Sequence, residues 1–262
     1  MLPSSDPLCL PLRLPYPQIP EYECGEYGKW SLELKADETF ERGYFSGWNA
    51  EPPGHYIVKE GHVWMSTSRL ERESHAVHLH DAEGTVVMCG IGMGMYLFNI
   101  AAKPAVKKII AVDLDTSVMD LVRNATGFDS WAGRDKLVFV HKNAMELTPA
   151  DLGNVPIDYL YVDIWPELGN PEALPQTRAI QAGVKARKVG WWGQELDFIQ
   201  WIFENRPAGH VPLPVDLLQF NQATGLPLAE QSAGYLLGCI HAGEVYSSYG
   251  SLPFAVALRD GK

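Results

Sequence analysis

Through the middle of the chain, apolar residues come in short unbroken runs, each followed closely by glycine or by a polar residue. Val86-Val87-Met88 leads through Cys89 into alternating glycines, Gly90, Gly92 and Gly94. Lys107 to Val112 ends in Asp113-Leu114-Asp115, Leu137 to Val140 precedes Asn143-Ala144, and Ile157 to Val162 ends in Asp163-Ile164-Trp165-Pro166. Runs of this length read as strands buried on both faces. Between them, Met95 to Ala102 and residues 117–125 read as helices. Strands alternating with helices at this spacing predict an α/β fold, a parallel sheet with right-handed crossovers.

The flanks read differently. In His55 to Ser66, Tyr-Ile-Val-Lys and His-Val-Trp-Met surround Glu60-Gly61, which predicts a β-hairpin. Ser68 to His80 reads as one helix, with Ser66 or Thr67 placed to cap its free N–H groups. Trp30 to Phe45 shows no settled period. The first residues, to about Gly28, are proline-rich and aperiodic, an irregular arm able to wrap a neighbour. From Pro171 onward the pattern turns helical: Ala173 to Lys188, Gln194 to Glu204 and Ala229 to His241, with Phe254 to Leu258 a candidate late strand. The expected organisation is an N-terminal arm, hairpin and helix (1–84), a core (85–190), and a C-terminal helical cap of the same domain (191–262).

Charge and cysteine usage narrow the partners. A net charge of −11 leaves no basic stripe to offset phosphate repulsion, so nucleic acid is not expected. Lys185 to Lys188 is too short to change this. The four cysteines form no Cys-x-x-Cys pair, which fits thiols in a reducing compartment. No apolar run reaches membrane-spanning length. The start lacks a basic n-region with an unbroken apolar h-region. The expected address is cytoplasmic, and the expected partner a small molecule.

The glycine turn carries the candidate chemistry. Glycines let the chain turn sharply from strand to helix and let a ligand lie against bare backbone. The helix that follows offers free N–H groups, so a nucleotide-type pocket is expected at the end of a parallel strand. A dinucleotide fingerprint would need glycine where Met95 or Leu97 stands.

Gly-x-Gly-x-Gly instead resembles motif I of class I S-adenosyl-L-methionine (SAM) dependent methyltransferases, and other positions follow. Asp113 matches the acid that accepts the ribose hydroxyls, with Leu114 beside it. Asn143-Ala144 matches the residues beside adenine, and Asp163 the motif IV acid near the methionine moiety. The resemblance implies a Rossmann-like methyltransferase fold with SAM as co-substrate. Met88 departs from it, since many members carry an acid there.

The hairpin, followed by Thr67-Ser68-Arg69-Leu70-Glu71-Arg72-Glu73-Ser74-His75, resembles the spermidine-synthase-like branch of that superfamily. Leu70 and Ser74 depart from its pattern. Met93 and Pro166 stand where aminopropyltransferases have acids that bind a polyamine, and a buried ammonium there would have no partner. The branch resemblance implies the scaffold with another substrate, and relatives of this kind imply a homo-oligomer.

Met93, Met95, Tyr161, Trp165, Trp191 and Trp192 are then expected to make a soft aromatic pocket, suited to a sulfonium by cation–π contact. The expected substrate-binding residues are Met93, Tyr161, Trp165, Trp191 and Trp192. Gly190-Trp191-Trp192-Gly193 is a candidate lid or substrate wall. His75, Asp163 and Glu195 are the candidate bases, and Trp165 the residue at the reactive end. A metal site at His75, His78, His80 and Asp81 is disfavoured because His80 points away from the other two. Asp115, Asp120 and Asp129 read as solvated surface.

The leading expectation is methyl transfer to a small molecule by in-line displacement. A rival is attack on the methionine arm with release of methylthioadenosine, as in closure of SAM to azetidine-2-carboxylate. Two others are a catalytically silent SAM-binding subunit and an NAD-linked oxidoreductase.

Overall fold

A computed structural model describes residues 14, 16–231 and 233–248. Cys9 and the candidate strand Phe254 to Leu258 lie outside them.

The chain opens with a small antiparallel sheet. β1 (Gly25–Tyr27) pairs β2 (Trp30–Lys35), and a separate ribbon joins β3 (Thr39–Arg42) to β4 (Trp48–Glu51). β5 (Gly54–Lys59) and β6 (His62–Ser66) form the expected hairpin, with Glu60 and Gly61 at positive φ in its turn. β2 pairs β5, giving the order β1-β2-β5-β6.

The single helix expected over Ser68 to His80 is two helices, α1 (Arg69–Ser74) and α2 (Ala76–Asp81), parted at His75. Ser68, rather than Ser66 or Thr67, is the N-cap, its hydroxyl accepting the Glu71 N–H.

The core then follows the expected alternation. β7 (Gly84–Cys89), α3 (Met95–Ala102), β8 (Val106–Asp113), α4 (Thr116–Ala125), β9 (Leu137–His141) and β10 (Tyr159–Val162) succeed one another. After α5 (Ala173–Val184) comes a strand the apolar pattern does not reveal, β11 (Lys188–Trp191). Its Gly190 leaves room for the ring of His78 and the hydroxyl of Tyr159, which a Cβ would strike. The division expected at 190/191 thus falls inside a strand. α6 (Gln194–Asn205), α7 (Pro214–Thr224), absent from the sequence reading, and α8 (Ala233–Ser248) complete the described chain.

The five core strands are all parallel, in the order β11-β10-β7-β8-β9. This is the doubly wound α/β architecture, and its strand order reverses between β7 and β10. In such sheets the crevice beyond the carboxyl ends at the reversal is where ligands bind. Gly90 follows β7 and Asp163 follows β10, so both stand at that crevice. Among the described residues no helix is long and apolar enough to cross a membrane.

Candidate functional site at the carboxyl edge of the sheet

A cleft of about 290 Å³ opens at the strand reversal, close to the lower end of the usual range for small-molecule sites. Its sheet-edge wall gathers Gly90, Gly92, Asp113, Leu114, Asn143, Ala144 and Asp163. Residues just past strand ends are placed by the strands themselves, which is why sequence reading locates them.

Gly90 is required by close approach. It sits at φ 88°, and a Cβ there would collide with the backbone carbonyl of Asp163. Gly92 has more latitude, its would-be Cβ meeting the Met65 Sδ at 2.6 Å. Gly94 was expected to touch the cofactor but does not line the cleft. It caps α3 at φ 79°, and a Cβ there would press on Val122 and Trp131. Its role is close packing of the turn onto α4.

Asp113 faces the cleft with its carboxylate already half employed. Oδ2 accepts the Ile91 N–H at 2.8 Å and Oδ1 the Asp115 N–H at 2.9 Å. A carboxylate has about four lone-pair positions, so about two remain for a ligand. Burial raises its pKa, opposed by these backbone hydrogen bonds. Leu114, beside it, is 68% exposed, an apolar face turned to the cleft. Asn143 accepts the Met145 N–H and so fixes the turn that presents Ala144.

Asp163 lies at the other side of the reversal. Burial pushes its pKa up to about 7, with His75 lowering it and the Glu71 and Asp113 carboxylates raising it. No hydrogen bond from the described residues relieves it. A carboxyl balanced in this way near neutrality can take up or give up a proton. Trp165 and Trp192 also line the cleft. Their indole N–H groups point away, to Gln176 Oε1 at 2.9 Å and Ser74 Oγ at 2.7 Å, leaving ring surface to the cavity.

Several expected residues stand behind the wall. Tyr161 is fully buried within β10; its hydroxyl and His75 Nδ1 share a hydrogen bond at 2.8 Å, and its ring stacks on Tyr96 at 4.3 Å. His75 is buried too, parallel to the Trp192 ring at 6.2 Å, with Nε2 3.7 Å from Glu71 Oε1. It reaches the cleft only through those neighbours and does not itself line it.

Met93 turns into the core: its N–H meets Met65 Sδ at 3.4 Å and its carbonyl accepts the Tyr22 hydroxyl. Met95 is likewise buried at the start of α3. Trp191 belongs to β11 and donates to Asp197 Oδ2 at 2.6 Å, so Gly190 and Trp191 form sheet, not a lid. Glu195, a candidate base, is sealed in the first turn of α6, where Tyr44 donates to its Oε2 at 3.2 Å. Burial pushes its pKa up to about 7, opposed by backbone and tyrosine hydrogen bonds.

Of the histidines weighed as metal ligands, His78 shares a 3.0 Å hydrogen bond with Tyr159, and burial holds its pKa down to about 3.

The cleft is therefore less apolar than expected, because a wall unforeseen in the sequence closes it. The N-terminal sheet supplies Lys29, Trp30, Lys59, Trp64 and Met65, and α1 supplies Glu71. Asp115, expected in solvent, lines the cleft and ties this wall down. Its Oδ2 accepts the Trp30 Nε1–H at 2.8 Å and lies 3.1 Å from Lys29 Nζ, and its Oδ1 caps α4. Burial pushes its pKa up, but the hydrogen bonds from Trp30 and Lys29 outweigh this and lower it. Asp120 and Asp129 do stand in solvent. Trp30 and Lys59 are register partners on β2 and β5, a pairing that the aperiodic sequence around Trp30 does not signal.

No protein-family model and no curated protein matches the chain. Among solved structures, it is similar to a conserved hypothetical protein of Streptococcus pyogenes, at 10% identity over 39% of this chain and 60% of that one, with a TM-score of 0.30. Spermidine synthase from Thermotoga maritima is similar at 14% identity over 64% of this chain and 55% of that one, with a TM-score of 0.39. The precorrin-6y C5,15-methyltransferase of Geobacter metallireducens is similar at 14% identity over 51% of this chain and 69% of that one, with a TM-score of 0.35. The chain thus spans 60% and 55% of the first two proteins' lengths. With TM-scores this low, the fold rests on the strand order described above.

Proposed function

We propose that the cleft binds SAM and that the protein is a transferase that moves a carbon group from its sulfonium to a small molecule. The observation that carries this reading is the Asp113 carboxylate. It is anchored by two backbone N–H groups beside a glycine turn, with acceptor positions left for a ribose diol. Leu114 and Ala144 provide apolar surface for a purine, and the Trp165 and Trp192 rings suit a sulfonium.

Methyl transfer is the leading form. It is an in-line displacement: the acceptor's lone pair forms the new bond to the methyl carbon as the carbon–sulfur bond breaks, and its electrons stay on sulfur. Alignment supplies much of the rate. Asp163 takes the acceptor's proton where the acceptor is N–H or O–H. In the second form an amine lone pair bonds to the methionine-arm carbon next to sulfur as that carbon–sulfur bond breaks, its electrons stay on sulfur, and methylthioadenosine leaves. Glu71 and Asp163 both line the cleft, so two carboxyl groups are available to an amine nucleophile. Met93 and Met95 do not line the cleft, so no methionine-rich surface favours ring closure of SAM itself over attack by an external amine.

Calorimetric titration with SAM, S-adenosylhomocysteine and NADH tests the reading. Binding of NADH without SAM would overturn it. Incubation with SAM, alone and with added amines, separates the two forms by product, since the first releases S-adenosylhomocysteine and the second methylthioadenosine.

A further inference from the structure

The cleft has two walls, and the nucleoside reading uses one of them. Trp30, Lys59, Trp64 and Met65 on the hairpin sheet are left without a task. That wall is fixed in place by the Trp30–Asp115 and Met65–Met93 contacts.

Of the three lysines lining the cleft, two are neutralised. Lys29 Nζ lies 3.1 Å from Asp115, and Lys142 Nζ lies 2.8 Å from Asp151. Lys59 has no carboxylate within ion-pair distance among the described residues. Its Nζ instead lies 4.9 Å from the ring centroids of both Trp30 and Trp64, which meet edge to face. Indole faces orient an ammonium and strip part of its water without cancelling its charge. Three donors on a compact cation remain for a ligand.

We propose that the acceptor carries a carboxylate or phosphate and that Lys59, held between Trp30 and Trp64, receives this group on the hairpin wall. This rests on the nucleoside occupying the sheet-edge wall. It adds the acceptor's class: a small molecule with an acidic group beside apolar or aromatic surface.

Inorganic phosphate and acetate, titrated into the whole protein with and without S-adenosylhomocysteine, test the proposal. Tryptophan fluorescence reports binding, and the two anions separate phosphate from carboxylate. The expected result is that at least one anion binds the S-adenosylhomocysteine complex. Lys59→Met then weakens it roughly tenfold or more, as loss of a charge-assisted contact should. Lys59→Arg keeps most of the affinity, and S-adenosylhomocysteine affinity changes less than about twofold in both variants. Undiminished anion binding by Lys59→Met would overturn the proposal. So would competition between the anion and S-adenosylhomocysteine, or no anion binding by the wild-type complex. Failure of the nucleoside reading looks different: S-adenosylhomocysteine does not bind at all, and any Lys59-dependent anion binding then belongs to another ligand, which also overturns the assignment to an acceptor.

Discussion

Asp113 Oδ2 accepts the backbone N–H of Ile91 at 2.8 Å, so the acid that ends β8 fastens the turn that leaves β7. One side chain thus shapes the glycine turn and lines the cleft. Asp113→Asn keeps one acceptor oxygen but turns an NH2 toward N–H groups. SAM affinity should fall about 10- to 100-fold, the loss of roughly 1.5–3 kcal/mol expected for hydrogen bonds to a charged group. Calorimetry reads this directly, and wild-type affinity in the variant would remove Asp113 from the ribose site.

The glycines of the turn are not equivalent. A Cβ at Gly90 would meet the backbone of Asp163, whereas one at Gly92 would meet the thioether of Met65, which can move. Gly90→Ala should therefore lower stability by more than about 3 kcal/mol, or prevent folding. Gly92→Ala should cost about 1 kcal/mol, mainly for a residue at positive φ. Urea unfolding of both variants checks the order, and equal losses would contradict the packing described.

Tyr161 is fully buried behind the cleft wall, so its loss should affect folding rather than SAM binding. Tyr161→Phe leaves His75 Nδ1 buried without its partner. About 1–3 kcal/mol of stability should be lost, with SAM affinity unchanged. A variant of normal stability and weak binding would return Tyr161 to the cleft.

The strands of the core were legible because Val86 to Met88, Lys107 to Val112, Leu137 to Val140 and Ile157 to Val162 are apolar runs bounded by breakers, and the residues that follow them inherit their placement. β11 was not legible, being four residues with a lysine and a glycine, Lys188 and Gly190, and no apolar run. Which side chains of those segments reach the cleft was legible only in part. Tyr161 lies two residues before Asp163, yet one is within the strand body, under His75 and Tyr96, and the other is past its end. Helical periodicity continues across His75 although the helix does not, so the break there left no mark in the pattern. The hairpin wall was hidden for another reason. Trp30 and Asp115 meet across 85 positions, and nothing local in either segment announces the contact.

If Asp163 is the base, activity should follow its titration. Its pKa is pushed up to about 7 by burial, so the carboxylate fraction, and with it turnover, should rise with pH through about 7. Asp163→Asn should be slow at every pH by roughly 10²- to 10⁴-fold. A wild-type profile flat from pH 6 to 8 would assign the proton to another group.

Glu195 gives the opposite sign for stability. Its folded pKa of about 7 lies above the ordinary 4.5, with burial the main cause. The native state therefore holds the proton more tightly than the unfolded chain does. The resulting stabilisation is complete below about pH 4.5 and is lost as pH rises through about 7. Glutamine cannot ionise and can still accept from Tyr44. Glu195→Gln should match the wild type near pH 5 and exceed it at pH 8.5, by about 3 kcal/mol at most on the linkage between pKa and stability. Urea unfolding at the two pH values measures the difference. SAM-dependent turnover should persist, because the carboxyl is walled off from the cleft by its own packing. If turnover vanished while stability behaved as expected, Glu195 would be the base after all, reaching the substrate in a form of the protein with the Tyr44 contact open.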